Sequence, residues 1–274
     1  MVRARKIAQI LCPNVEIVFA QVTLQHDQPM SMSQSDISVK IDRTVQDLRE
    51  FQVPRPLPLV MDVLTAVDLK PEDIFIFTNV DIALAPNFYE FINSVFERGI
   101  DCAIVNRRTI SDVYCDERDL SLMTNEVGAP HPGFDCFAYL GSLKNRLTHY
   151  DSCVGIAGVM APLVYQLLAK AKRPVVLLDA HATFHLGDDK EWKNDKFKDY
   201  SEHNLNEIHT VFNALLDDVE QKQRLLDRLT GEHGIKVIPR GLRGKLGVKS
   251  TLKRRRKPML QNGFYSKVRS LLRR

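Results

Sequence analysis

Residues 74–77, Ile-Phe-Ile-Phe, form an unbroken apolar run that ends abruptly in Thr78, Asn79 and Asp81. Two β-branched and two aromatic residues in a row, without polar alternation, suit a strand covered on both faces. Pro86 then opens a segment, Phe88-Tyr89-x-Phe91-Ile92-x-x-Val95-Phe96, whose apolar spacing is helical, with the proline near the first turn. A buried strand thus delivers polar oxygens to its carboxyl end and returns as a helix. In open α/β sheets ligands bind at that edge. This one stretch therefore constrains fold and site together.

The flanking sequence extends the pattern. Residues 4–11 have short helical spacing and residues 15–22 read as a strand, whereas residues 23–52 are polar with little periodicity. That long excursion is expected to order only around a ligand or partner. Pro54, Pro56 and Pro58 stiffen its exit, and residues 57–69 return to helical spacing. After the helix over 86–98, Gly99 stops it and residues 101–105 give the next strand, so a parallel βαβ unit is expected. If its two strands are neighbours, Asn106, Arg107 and Arg108 fall beside Asn79 and Asp81. Residues 112–124 are polar and ambiguous. Residues 134–140 look like a strand, entered through the turn-rich run from Gly128 to Gly133. Residues 161–172 read as a helix and 175–178 as a buried strand closed by Asp179 and His181. Residues 185–192 read as a polar loop holding the single Trp, and 204–229 as one long amphipathic helix. The expected architecture is an α/β domain over residues 1–233 followed by a basic tail over 234–274.

Charge supports that division. Of the 38 Lys and Arg residues, 14 lie from Lys236 onward, where no Asp or Glu occurs; residues 1–235 hold the other 24 against 34 acids, a net of −10. The tail carries Lys253-Arg-Arg-Arg-Lys257, and its last stretch has the spacing of a short basic amphipathic helix. Residues 253–274 suit an anionic membrane surface or, as the weaker alternative, nucleic acid. No window approaches 18 apolar residues, and residues 8–11 are too short an apolar core for a signal peptide. Five widely spaced cysteines without a CxxC read as buried thiols of a reducing compartment. A cytoplasmic protein, peripheral to a membrane at most, is the expectation.

The candidate chemistry follows from residue types. Asn79 and Asp81, two residues apart, can share one hard cation whose remaining sites are filled by diphosphate oxygens and water. The same pair would also serve to shape a turn or cap the following helix. Arg107 and Arg108 offer guanidinium forks to a diphosphate. Asp135, two residues beyond Gly133, sits where a turn exposes side chains, as a general base or acceptor-binding group or simply as a turn former. Thr78 and His131 join the substrate-facing candidates, and Trp192 offers a ring face to a sugar. No GxxxxGK[ST], GxGxxG in a βαβ context, nucleophile elbow or HExxH occurs.

The order of these pieces resembles the glycosyltransferases of GT-A type. The resemblance rests on Thr78-Asn79-x-Asp81 after a buried strand, Asn106-Arg107-Arg108 after the next, His131-Pro-Gly-x-Asp135 before a third, and Thr183-x-His185-x-Gly187-Asp188 late in the chain. It covers roughly residues 15–192. It implies a Rossmann-like three-layer sandwich with a mainly parallel sheet, and transfer of a sugar from a nucleoside-diphosphate donor to a hydroxyl acceptor. It also implies a Mn²⁺ or Mg²⁺ ion on the donor diphosphate, held by Asp81, by Asn79 in the place of the usual first acid, and by His185. Residues 4–11 match the family's first helix and 15–22 its second strand, leaving no match for the first strand. Two other functions stay open: a catalytically silent domain that binds a nucleotide sugar or glycan, and a nucleic-acid-associated protein working through its tail.

Overall fold

The computed structural model describes residues 1–27, 35–114, 116–131, 133–187 and 195–230. The expected tail over 234–274 lies outside them, as do Asp188 and Trp192. The helices are α1 (Val2–Leu11), α2 (Val60–Thr65), α3 (Phe88–Glu97), α4 (Leu120–Asn125), α5 (Gly141–Lys144), α6 (Ala161–Lys170), α7 (Lys198–Asp217) and α8 (Val219–Thr230). The strands are β1 (Ala20–Leu24), β2 (Ile37–Ile41), β3 (Ile74–Thr78), β4 (Ala83–Leu84) and β5 (Cys102–Val105). They continue with β6 (Arg108–Ile110), β7 (Ala129–Pro130), β8 (Cys136–Leu140), β9 (Pro174–Leu177) and β10 (Thr183–Leu186). This is a mixed α/β arrangement with open, partly parallel sheets, compatible with a Rossmann-like fold.

The central sheet has the order β3-β8-β5-β9. β3 and β5 run the same way but are not neighbours, contrary to the simple βαβ expectation. β8 enters between them antiparallel to both, and β9 lies parallel on the far side of β5. Burial explains the choice. Cys136, Phe137, Ala138 and Tyr139 of β8 are each wholly buried, and so is every residue of β5, whereas β3 and β9 are only partly covered. Strands without a polar face take the centre and the others take the edges. Ala103, Val105, Cys136 and Ala138 pack with Phe88 and Ile92 of α3 and Ala4 of α1. The alternate residues Cys102, Ile104, Phe137 and Tyr139 are equally buried on the opposite face.

A second sheet, β4-β10-β6-β7, grows from the first. β4 follows β3 past its carboxyl end and β6 follows β5, and β10 joins them, antiparallel to β4 and parallel to β6. His185, expected in a loop, therefore stands on a strand opposite Thr109.

Two further expectations change. The described parts of the polar segment, residues 23–27 and 35–52, are tied to the rest of the domain by a strand pair and side-chain contacts. β2 within it pairs with β1 in parallel, and Arg43 makes a two-pronged contact with Asp62 at 2.9 Å on each arm. The Gln52 N–H donates to Asp199 at 2.7 Å, and Phe51 stacks on Tyr200 with centroids 3.9 Å apart. The long helix over 204–229 is two helices. Asp218 leaves the helical region at ψ 116°, and its carboxylate accepts from the Gln221 N–H at 2.9 Å, capping α8. Among the described residues no helix is long and apolar enough to cross a membrane.

Candidate functional site

Register places the site. Cys136 pairs with Thr78 on one side and with Val105 on the other. The residue before it, Asp135, must therefore lie at the carboxyl edge of the sheet, between Asn79 and Asn106. The side chains meet there: the Asn79 amide donates to Asp135 Oδ1 at 3.4 Å, and Arg107 Nε stands 3.2 Å from Asp135 Oδ2. Those last two atoms are buried and misaligned, so the ion pair is close without making a hydrogen bond. Burial pushes the Asp135 carboxyl above its usual range, and Arg107 followed by His131 oppose the shift. A carboxyl with a raised pKa beside a cation is suited to proton transfer.

His131 is held by its own turn. Its Nδ1 accepts from the Gly133 N–H at 3.1 Å, which puts the neutral ring's proton on Nε2, and Nδ1 lies 3.6 Å from Asp135 Oδ2. The turn in turn hangs on Asn106, a residue the sequence reading quoted but gave no role. Asn106 is 3% exposed, and its amide donates to the carbonyls of His131 at 2.8 Å and Gly133 at 2.6 Å. Its position as the first polar residue after a wholly buried strand is the signal that could have found it. Asn106→Ala is expected to lower unfolding free energy by about 2 kcal/mol, since two buried carbonyls lose their donor. Urea unfolding would read this as a lower midpoint with an unchanged slope.

The second half of the site is Asp81 with His185. Asn79 to Ile82 form a turn closed by the Ile82 N–H on the Asn79 carbonyl at 3.2 Å. The N-cap of α3 is Asn87, so neither Asn79 nor Asp81 caps that helix. His185 Nδ1 donates to the Gly187 carbonyl at 3.0 Å, which Gly187 presents from a left-handed conformation at φ 67°. Its Nε2 then faces Asp81 Oδ2 at 3.2 Å. With Nδ1–H fixed, a neutral ring would set a lone pair against a carboxylate. A proton or a cation between them removes the conflict. The hydrogen bond between the two raises the His185 pKa and lowers that of Asp81, and the Arg107 charge reaches both.

The two arginines separate. Arg108 is spent on backbone: Nε donates to the Val127 carbonyl at 2.8 Å and Nη2 to the Gly128 carbonyl at 2.9 Å, while Nη1 lies 3.4 Å from Asp179. Arg107 has no such ties, and its guanidinium reaches the Asp135 cluster. The Thr78 hydroxyl donates to the neighbouring Asn79 carbonyl, at 3.5 Å. Among the described residues no group of three or more His, Cys, Asp and Glu is placed to hold a metal; Asp81 and His185, with the Asn79 amide oxygen, are the donors they offer at this edge. Compared with protein-family models and with curated proteins, the chain matches none.

Proposed function

We propose that the chain is a glycosyltransferase of GT-A type, moving a sugar from a nucleoside-diphosphate donor to a hydroxyl acceptor. The observation that carries this reading is the facing pair of His185 Nε2 and Asp81 Oδ2, 3.2 Å apart, beside a buried carboxyl and guanidinium at the carboxyl edge of a partly parallel sheet. One nitrogen and one carboxylate oxygen converge where a borderline divalent ion is favoured over an apposed lone pair. Asp81, His185 and the Asn79 amide oxygen would hold Mn²⁺ or Mg²⁺. Such an ion supplies charge neutralisation on the diphosphate as the sugar departs.

The chain's own residues do the rest. The Arg107 guanidinium, buried and not bonded to backbone, stabilises negative charge building on the leaving group. Asp135, whose carboxylate burial makes more basic than usual, orients the acceptor hydroxyl and, in its ionised form, takes its proton. The Asn79 amide orients the carboxyl, and Asn106 holds the turn that carries His131 beside it. The basic residues 253–274 would bring the enzyme to an anionic surface bearing its acceptor.

The test is calorimetric titration of the full chain with UDP and GDP, with and without Mn²⁺, beside Asp81→Ala. Metal-dependent binding that weakens about tenfold or more in the variant is expected. Absence of binding to either nucleotide by a folded sample would remove the donor half of the reading. A second reading draws on Asn79 and on the bare two-residue acid–imidazole pair: a silent domain that binds the nucleotide sugar. It predicts nucleotide binding without turnover of any donor.

A further inference from the structure

Away from that edge, a cavity of about 100 Å³ lies among α6, α7 and α8. Its lining is divided by chemistry. Thr148, Gln166, Lys170 and Gln221 contribute polar groups, and Val211, Ala214 and Leu215 contribute carbon. The volume is several times what one water needs.

Lys170, the last residue of α6, is 7% exposed. Its ammonium donates to three neutral oxygens: the Arg146 carbonyl at 2.8 Å, Thr148 Oγ1 at 2.6 Å and Gln166 Oε1 at 2.8 Å. Those contacts satisfy its protons but leave its charge uncompensated. Among the described residues no carboxylate lies within ion-pair reach of it. Asp218 acts on it only at longer range, with its own oxygens engaged by the Gln221 N–H and side-chain amide. Arg146 adds a second positive charge nearby, and its guanidinium donates to the Lys170 carbonyl. Burial, helped by Arg146, lowers the Lys170 pKa to about 8, so the group is still cationic at neutral pH. Buried charges are ordinarily paired. Thr148 Oγ1 accepts from Lys170, so its own O–H is directed elsewhere and has a proton to donate.

We propose that this cavity binds a small monocarboxylate with a short alkyl chain. The Thr148 hydroxyl and the Lys170 charge take the carboxylate, and Val211, Ala214 and Leu215 take the chain. A bare halide would leave the apolar part unfilled. A phosphate dianion would set a second charge against carbon. The residues involved are distinct from those at the sheet edge, so this site stands whether or not the transferase reading does.

The experiment follows the unfolding temperature of the full chain against sodium formate, acetate, propionate, butyrate and chloride at constant ionic strength. A saturable rise is expected for acetate and propionate and not for chloride. In Lys170→Met the half-saturating concentration should increase about tenfold or more, the scale of one lost charge contact. Ala214 is exposed at the rim of the cavity, so Ala214→Leu narrows its apolar side without touching the charge and should weaken the propionate response at least about tenfold; if Lys170→Met does not fold, this variant decides alone. A chloride response equal to that of propionate, no saturable rise with any carboxylate, or a response unchanged in Ala214→Leu would overturn the proposal.

Discussion

On the transferase function proposed above, replacing Arg107 with methionine is expected to lower sugar transfer by about 10²–10³-fold, the usual loss when one preorganised charge is removed from a developing anion. The fold should survive, because Arg107 holds no backbone carbonyl among the described residues and its near neighbour Asp135 can protonate once the cation is gone. Arg108→Met should behave in the opposite way. That side chain ties the Val127 and Gly128 carbonyls to β6, so its loss should cost about 2 kcal/mol of stability with a smaller effect on the chemistry. The pair of variants is measured as initial rates on a donor that the chain binds, alongside urea unfolding of each. Equal loss of rate in both variants would contradict the separate duties assigned to them.

Gly141→Ala should be among the most damaging single changes in the chain. A Cβ at this position would lie 2.0 Å from the Lys70 carbonyl oxygen and 3.2 Å from Leu69 Cβ. Neither side can yield easily. The Lys70 carbonyl accepts from the Asp73 N–H at 3.1 Å in the turn that launches β3, and the Gly141 N–H donates to the Asp73 carbonyl at 2.8 Å. Relief would pull Ile74 and Leu140 out of register at the first rung of the β3–β8 ladder. A loss of about 3 kcal/mol is expected, the upper range for overpacking. Thermal unfolding checks it; a change of under about 1 kcal/mol would show that the turn moves freely.

The contrast between Arg107 and Arg108 shows what sequence could and could not reveal. Adjacent residues along an extended chain point to opposite sides, so two neighbouring arginines at a strand end have different duties. Which of them faces the site depends on the Val127 and Gly128 carbonyls just before β7, a strand that pairs with β6 only in the folded chain. The strand at 74–78 and the helix after it were legible because apolar spacing reports local burial directly. The insertion of β8 was not, since periodicity carries no information about a strand's partner. The break at Asp218 escaped for another reason: one capped residue between two helices hardly disturbs the amphipathic pattern. β2 does alternate, Ile37-Ser-Val39-Lys-Ile41, but five residues in a polar background were too short a signal. Of the candidate site, Asn79, Asp81, Arg107, His131, Asp135 and His185 come together at one edge. Asn106 carried a signal in its place directly after a buried strand, but the turn carbonyls it holds lie 25 and 27 residues away and show only in the folded chain.

The middle position of β8 also bears on how the molecule comes together. Both of its neighbours, β3 and β5, are made before it, and neither can complete its ladder until residues 136–140 arrive. The nascent chain therefore holds two very apolar segments with unpaired edges for as long as 136–140 is still to come, an interval in which chaperone capture or aggregation competes with docking. When β8 docks it closes the hydrophobic centre and sets Asp135 in the same event. A chain that stalls before this step lacks the middle strand of the central sheet and the placement of Asp135, so it has no assembled site at that edge.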